Sequence, residues 1–181
     1  MALFRKAAPR DPLIIAMSGA ALGCRVLMLC AEDERLPIDV AAKVGLSGQA
    51  VALAPDAARS DAIGRRAERH GVFVERGLVT VPLPHGEQQF DLVIADDRPH
   101  PGARVTSPAL LAEAFRVLRP GGRVVVLRAL GGRWPWRRPA AAERAEADGA
   151  LQRALLDAGF RAAREIGARE GISFVEAARS A

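Results

Sequence analysis

The sequence predicts an α/β domain with a mostly parallel sheet and helices on both of its faces. Segments typical of strands and of helices alternate at short spacing along the 181 residues, which indicates βαβ units. The strand segments are continuously apolar, as expected for parallel strands that are buried on both faces. With 50% hydrophobic and 26% charged residues, the chain is expected to fold as one domain, residues 1–181, in which residues 1–23 form an N-terminal helical extension.

Six elements are predicted in the first half of the chain. Asp11 and Pro12 favour the start of a helix, as N-cap and first helical residue, and Gly71 favours the end of a later one. The predicted elements are a helix over 11–22, a strand over 26–29, a helix from 37 to about 44, a strand over 48–54, a helix over 55–71 and a strand over 72–76.

The second half continues the alternation and ends in two strands. Ser107 is the predicted N-cap of an amphipathic helix, and Pro120 with the two glycines after it is predicted to stop that helix. The last two strands are close together in sequence, which favours an antiparallel pair. The predicted elements are a strand over 90–96, a helix over 107–122, a strand over 123–130, a helix around 140–158 and strands within 160–166 and 171–180.

The composition limits the range of functions without selecting one. The net charge is +5, and Lys6 and Lys43 are the only lysines, so nearly all basic residues are arginines. Together with the many alanines, this is a bacterial-type composition typical of GC-rich coding, and it favours acidic partners only weakly. Cys24 and Cys30 form neither a CxxC motif nor a disulfide framework, and no metal site is predicted.

The N-terminal residues share some features with a targeting signal. A basic start, an apolar run and Cys24 resemble a lipoprotein signal. Asp11 heads the apolar run, however, and the sequence after Cys24 is typical of a core strand. Residues 13–30 are too short and too interrupted for a membrane span. We therefore expect a cytoplasmic protein.

Four stretches of the sequence resemble one known family. The strongest are FDLVIAD (90–96) and LLAEAFRVLRPGGRVVVL (110–127), and AAKVGLSGQAVALAPDAA (41–58) and LLDAGFRAAREI (155–166) add to them. The chain resembles the class I S-adenosylmethionine-dependent methyltransferases from about residue 21 to residue 177. The resemblance implies a seven-stranded Rossmann-like sheet with an antiparallel last strand, and S-adenosylmethionine bound at the carboxyl ends of the first strands.

The resemblance also implies three polar contacts to the cofactor, and this sequence departs from all three. Met28 stands in place of an acid in the first motif, and Cys30 and Glu32 stand in place of its two glycines. The acid expected after the second strand is Ala54, and the acid expected after the third is Leu78. The positional equivalents of the cofactor-binding residues are Cys30, Ala31, Glu32, Asp33, Ala54, Pro55, Asp56, Leu78, Val79 and Ala95.

Nearby acids offer partial replacements for the missing contacts. Glu32 or Asp33 is able to bind the cofactor's amino group, although capping of the next helix is the favoured role. Asp56 is able to reach the ribose, although it too is expected to be an N-cap. The carboxylates of Glu32, Asp33 and Glu34 argue against a dinucleotide, because they repel its pyrophosphate at the helix N-terminus.

Two further segments are candidates for chemistry or binding. Asp96, Asp97 and His100 follow the fourth strand and are the catalytic candidates, as a base or a metal cluster, with a solvated loop as the alternative. The segment 131–138 places Trp134 and Trp136 among arginines. It is a candidate for binding nucleic acid or an anionic membrane surface, or for a substrate lid, with simple packing as the alternative.

The sequence thus favours a methyltransferase-like protein with a degenerate cofactor motif, either non-catalytic or only weakly binding S-adenosylmethionine. An active methyltransferase with a non-standard cofactor turn is the alternative. A basic binding module that uses Arg133–Arg138 is a further one. The expected partners are a small-molecule or macromolecular substrate, another protein or a second copy of the chain.

Overall fold

The computed structural model describes residues 12–29, 34–98, 105–130 and 141–181, and these ranges contain five helices and seven strands. The elements are α1 (Pro12–Ser18), β1 (Arg25–Leu29), α2 (Arg35–Val44), β2 (Gln49–Ala54), α3 (Ala57–His70), β3 (Glu75–Leu78), β4 (Phe90–Asp96), α4 (Pro108–Val117), β5 (Leu118–Ala129), α5 (Ala141–Asp157), β6 (Arg161–Arg169) and β7 (Ile172–Ala178).

All seven strands form one sheet in the order β3-β2-β1-β4-β5-β7-β6. The five strands from β3 to β5 are parallel, and β7 runs antiparallel to both β5 and β6. The predicted fold class and the predicted antiparallel end of the sheet are therefore confirmed.

The sheet separates two hydrophobic cores. On one face α1, α2 and α3 pack on residues such as Val26, Met28 and Ile94, and on the other face α4 and α5 cover Leu29 and Val93. Alternate residues of β1 and β4 thus enter opposite cores, and all five of these side chains are fully buried. This explains the continuously apolar sequence of the central strands.

The first helix and the third strand differ from the sequence prediction. Helix α1 ends at Ser18 rather than near residue 22, because Gly19 adopts a positive φ of 68° and its carbonyl accepts a hydrogen bond from Arg123 Nη2 at 2.9 Å. Strand β3 begins at Glu75 rather than at residue 72. Residues before it complete the end of α3, where the Val72 N–H donates to the Ala67 carbonyl.

The turn between α4 and β5 also begins earlier than predicted. Helix α4 ends at Val117, and Leu118 is already extended and pairs with Phe90 of β4. The next pair is Leu92 with Arg123, so residues 119–122 form a bulge opposite Asp91. Proline and glycine therefore shape a bulge in the strand rather than stopping the helix.

An arginine near the end of the chain satisfies the last carbonyls of α4. Arg179 Nη1 donates to the carbonyls of Phe115 at 2.6 Å and Leu118 at 2.7 Å, and its guanidinium lies over the Phe115 ring at 4.6 Å from the centroid. A cation at this position also interacts favourably with the helix dipole. Within the described ranges, no helix is long and apolar enough to cross a membrane.

We predict that the bulge tolerates no side chain at Gly122. A Cβ there would lie 2.9 Å from the Arg119 carbonyl oxygen and 3.1 Å from that of Asp91, so Gly122→Ala should lower the free energy of unfolding by about 1–3 kcal/mol. Gly149 of α5 has open space around it, and Gly149→Ala should stabilise by about 0.5–1 kcal/mol. Urea denaturation measures both, and equal effects of the two substitutions would contradict the prediction.

Candidate functional site

The carboxyl ends of the parallel strands meet at one edge of the sheet, which we call the carboxyl edge. The register pairs Leu29 with Leu53 and with Ala95, and pairs Ala54 with Leu78. The ends of β1, β2, β3 and β4 are thereby brought side by side. Ligands of open α/β sheets bind at such an edge, so the carboxyl edge is the candidate functional site.

An open groove of about 900 Å³ lies along the carboxyl edge. It runs between the N-terminal half of α3 and the residues that follow β4. Charged side chains of both signs line it: Glu34, Asp56, Arg59, Arg66 and Arg98. Arg66 Nη1 lies 3.9 Å from Glu34 Oε2, so this weak ion pair links α3 to the start of α2.

The end of β2 presents no polar side chain to the groove. Ala54 is fully buried, and its carbonyl accepts a hydrogen bond from the Val79 N–H at 2.9 Å. Pro55 is half-buried. Asp56 is exposed and is the N-cap of α3, as predicted, because its Oδ1 accepts a hydrogen bond from the Arg59 N–H at 2.8 Å.

The end of β3 is apolar as well. Leu78 leaves 44% of its surface exposed, and Val79 packs partly against the core that contains α4. Leu78 is the last residue of the strand rather than a residue beyond it, since β3 begins three residues later than the sequence suggests. Its side chain offers neither a donor nor an acceptor to an adenine.

Two aspartates end β4, and the first is held in an ion pair. Asp96 is 1% exposed and follows the buried Ala95. Arg98 Nε donates to Asp96 Oδ1 at 2.7 Å, and Arg98 Nη2 donates to Oδ2 at 2.6 Å. This two-point contact neutralises the buried carboxylate and fixes its orientation.

Asp97 lies in a less enclosed position. Its backbone N–H donates to the Leu127 carbonyl at 2.8 Å, and the Thr106 hydroxyl donates to Oδ1 at 3.4 Å. Burial raises the pKa of Asp97 above its ordinary value, while Arg128, at 4.0 Å, and the Thr106 hydroxyl act in the opposite direction. A carboxyl with a raised pKa is suited to proton transfer, but no substrate group is defined for it.

Several sequence candidates lie outside the described residues. These are the cofactor turn itself, with Cys30, Ala31, Glu32 and Asp33, then His100 of the catalytic candidates, and the segment Arg133–Arg138 with Trp134 and Trp136. Binding of nucleic acid or membrane through that segment stays a prediction. In the described part of the chain, no group of three or more His, Cys, Asp or Glu side chains is arranged to hold a metal ion.

The described residues do not fit the contacts that the family resemblance implies for S-adenosylmethionine. The ribose hydroxyls need an acceptor at the end of β2, where Ala54 has no polar side chain. The adenine amino group needs an acceptor at the end of β3, where Leu78 has none. Asp56 is the nearest carboxylate in sequence to Ala54, and one of its oxygens already caps α3.

Sequence reasoning missed the arginines of the groove. Arg59, Arg66 and Arg98 were not singled out, because on a sequence their charge is indistinguishable from that of surface arginines. A usable signal existed for Arg98 alone. An arginine two residues after the last acid of a buried strand is well placed to neutralise that acid.

Comparison with solved structures identifies the fold. The chain is similar to a SAM-dependent methyltransferase from Aquifex aeolicus, with a TM-score of 0.73, 18% identity and coverage of 91% of this chain and 87% of that chain. It is also similar to the [4+2]-cyclase SpnF (TM-score 0.67, 16% identity, 94% and 79% covered) and to the antibiotic-resistance methyltransferase Kmr (TM-score 0.63, 17% identity, 95% and 94% covered). The sequence matches no family model and no curated protein. The fold is therefore the Rossmann-like fold of class I S-adenosylmethionine-dependent methyltransferases, as the resemblance implies.

We predict that the Asp96–Arg98 pair stabilises the fold. Arg98→Met should lower the free energy of unfolding by about 3 kcal/mol, because it leaves a buried carboxylate without its guanidinium. Arg119→Met is the matched control: it removes a 2.7 Å contact to Asp91 made by an exposed arginine and should cost no more than about 1 kcal/mol. Adding Asp96→Asn to Arg98→Met should recover part of the loss in chemical denaturation, whereas additive losses would contradict the coupling.

A second prediction concerns the pH dependence of stability. Because the pKa of Asp97 is raised in the folded chain, the folded state binds more protons than the unfolded state between the ordinary and the raised value, and stability falls as pH rises through that window. Asp97→Asn removes this penalty and keeps an acceptor for Thr106. The variant should be more stable than the unmodified chain at neutral pH, and its advantage should shrink as pH falls to about 4. An advantage that does not change with pH in urea titrations would contradict the assignment.

Proposed function

We propose that this chain is a non-catalytic methyltransferase homologue that binds S-adenosylmethionine weakly or not at all. The observation that carries the proposal is the end of β2, where a fully buried alanine, Ala54, stands in the place of the ribose-binding acid. Ala54 has no side-chain acceptor for the two hydroxyls of a ribose, and its carbonyl already accepts a hydrogen bond from the Val79 N–H.

The ends of β3 and β4 support the same proposal. Leu78 replaces an acceptor with an apolar side chain at the adenine position. Asp96, the last residue of β4, is almost completely buried and accepts hydrogen bonds from Arg98 at both oxygens, so it is a poor candidate for a base that meets substrate. The missing contacts to ribose and adenine and the pairing of Asp96 with Arg98 are consistent with a protein that acts by binding a partner or by assembly rather than by catalysis.

The fold by itself does not require methyl transfer. One structural neighbour is the [4+2]-cyclase SpnF, and its similarity covers 94% of this chain at a TM-score of 0.67. A common fold hosts different chemistries, and the residues of the site decide which one is present. The residues of the site therefore carry more weight here than the activities of structurally similar proteins.

The second candidate is an active S-adenosylmethionine-dependent methyltransferase with a non-standard site. The open groove at the carboxyl edge and the exposure of Asp56 favour it, because one oxygen of Asp56 has no hydrogen bond to α3 and the side chain lines the groove. In this candidate the Asp56 carboxylate would bind the ribose, and the cofactor would supply the methyl group to a substrate.

Thermal denaturation with S-adenosylmethionine and with S-adenosylhomocysteine tests the proposal. We expect no change in Tm at about 1 mM of either ligand. A dissociation constant near 1 µM would stabilise the folded chain by about 4 kcal/mol at that concentration and raise Tm by roughly ten degrees. A shift of that size with either ligand would overturn the proposal.

Two variants of α3 identify the ribose contact if a shift is observed. Asp56→Asn keeps the N-cap but removes the charge, so the helix should remain intact while ribose binding weakens. Asp61→Asn is the matched control, since Asp61 lies on the same helix and its carboxylate faces Arg76 at 3.4 Å. Loss of the shift in Asp56→Asn and its retention in Asp61→Asn would show that Asp56 binds the ribose, as the second candidate requires, and a methyl-transfer assay would then test activity.

A further inference from the structure

The opposite edge of the sheet, where the parallel strands begin, carries a cavity of about 420 Å³. The ends of α2 and α3 and the starts of β2 and β3 enclose it. Val44, Val72 and Phe73 contribute apolar walls, and Gln49 and Glu75 contribute polar atoms. This cavity is separate from the groove at the carboxyl edge, because it lies at the other ends of the same strands.

Three large apolar side chains stand in solvent around this cavity. Leu46 is fully exposed, Phe73 is 79% exposed and Leu22 is 75% exposed. The Leu22 side chain lies against Gly45, because a Cβ added at Gly45 would be 2.9 Å from Leu22 Cδ1. Since Gly45 lines the cavity, Leu22 adjoins the cavity wall. We call Leu22, Leu46, Phe73 and the cavity the apolar amino edge. Single exposed leucines are common, whereas a group of large apolar side chains around a cavity marks an interaction surface.

A small molecule does not account for this surface. A ligand that fills the cavity would contact its walls, but it would leave Leu22 and the outward parts of Leu46 and Phe73 in water. Covering all three side chains requires an extended surface. The occupant is therefore a macromolecule with an apolar face of its own.

We propose that this occupant is a second copy of the chain, so that two copies associate through their apolar amino edges about a two-fold axis. In a two-fold interface the same patch faces itself and must be self-complementary. The apolar amino edge has both halves of such a contact, since a cavity and protruding apolar side chains adjoin on one surface. Each copy supplies side chains to fill the partner's cavity and a cavity to receive them.

The charges around the apolar amino edge agree with self-association. The last turns of α2 and α3 carry Lys43 and the adjacent pair Glu68 and Arg69, all exposed, and Glu75 lines the cavity. Both signs are thus present, and a two-fold axis is able to place each charge opposite its counterpart in the partner. A surface for nucleic acid would instead carry an excess of basic residues.

A fixed polar row supports the floor of this surface. Arg25 Nε donates to Gln49 Oε1 at 3.2 Å, and Gln49 Nε2 donates to Glu75 Oε2 at 2.8 Å, which links the starts of β1, β2 and β3. The side chains at the floor are therefore held in place before association. A preorganised surface loses less conformational entropy on binding.

Sedimentation equilibrium of the full chain, from about 5 to about 500 µM, tests the proposal. We expect a reversible monomer–dimer equilibrium for the unmodified chain. Phe73→Ser should weaken dimerisation at least about tenfold, as expected for an aromatic side chain at the centre of an interface, and Leu46→Ser should weaken it as well. Leu156→Ser is the matched control, because Leu156 is 48% exposed on α5, which packs on the other face of the sheet, and its substitution should leave the equilibrium unchanged.

Hydrogen exchange locates the contact independently of the variants. Residues 41–50 and 71–75 should gain protection as the concentration rises, and Phe73→Ser should lose that gain while circular dichroism shows an intact fold. A chain that stays monomeric at the highest concentration would overturn the proposal. A dimer unaffected by Phe73→Ser, or one protected elsewhere, would also overturn it. Neither result depends on whether S-adenosylmethionine binds.

Discussion

The burial of β1 and β4 on both faces is the constraint on which the rest of the structure depends. Each of these strands has a parallel neighbour on either side and a layer of helices above and below, so residues such as Met28 and Val93 have no contact with water. Unpaired polar groups are costly in such surroundings. Polar chemistry is therefore confined to the two edges of the sheet, and each edge carries a different surface.

At the carboxyl edge, charged side chains form ion pairs and cap helices within the protein. Arg98 neutralises Asp96, and Asp56 is the N-cap of α3. Side chains engaged in this way stabilise the strand and helix ends, but fewer of their atoms are left for a ligand. The class I methyltransferase fold is retained here, and these engaged side chains are the basis for proposing that S-adenosylmethionine binds weakly or not at all.

Arginine suits these roles better than lysine. Arg98 donates to both oxygens of one carboxylate, and Arg179 Nη1 donates to the carbonyls of Phe115, Arg116 and Leu118 while its planar group covers the Phe115 ring. A lysine ammonium has neither the fork for the first contact nor the planar group that lies over the ring. The bias toward arginine, which on the sequence is explained by GC-rich coding, thus also has structural consequences at several element ends.

The sequence by itself determined the order of the elements, the parallel sheet with its antiparallel end, and the apolar residues at the ends of β2 and β3, because these follow from periodicity, capping residues and local turns. Three boundaries predicted from the sequence were wrong. The end of α1 is decided by the contact with Arg123, the start of β3 by its register with β2, and the end of α4 by the pairing of Leu118 with Phe90. The apolar amino edge was decided by the tertiary structure alone, because packing between elements brings its side chains together and local sequence patterns do not encode which side chains such packing leaves exposed. Asp96 and Arg98 are only two residues apart, so their pairing could be inferred from the sequence, and the tertiary structure decided that the Asp96 carboxylate is buried.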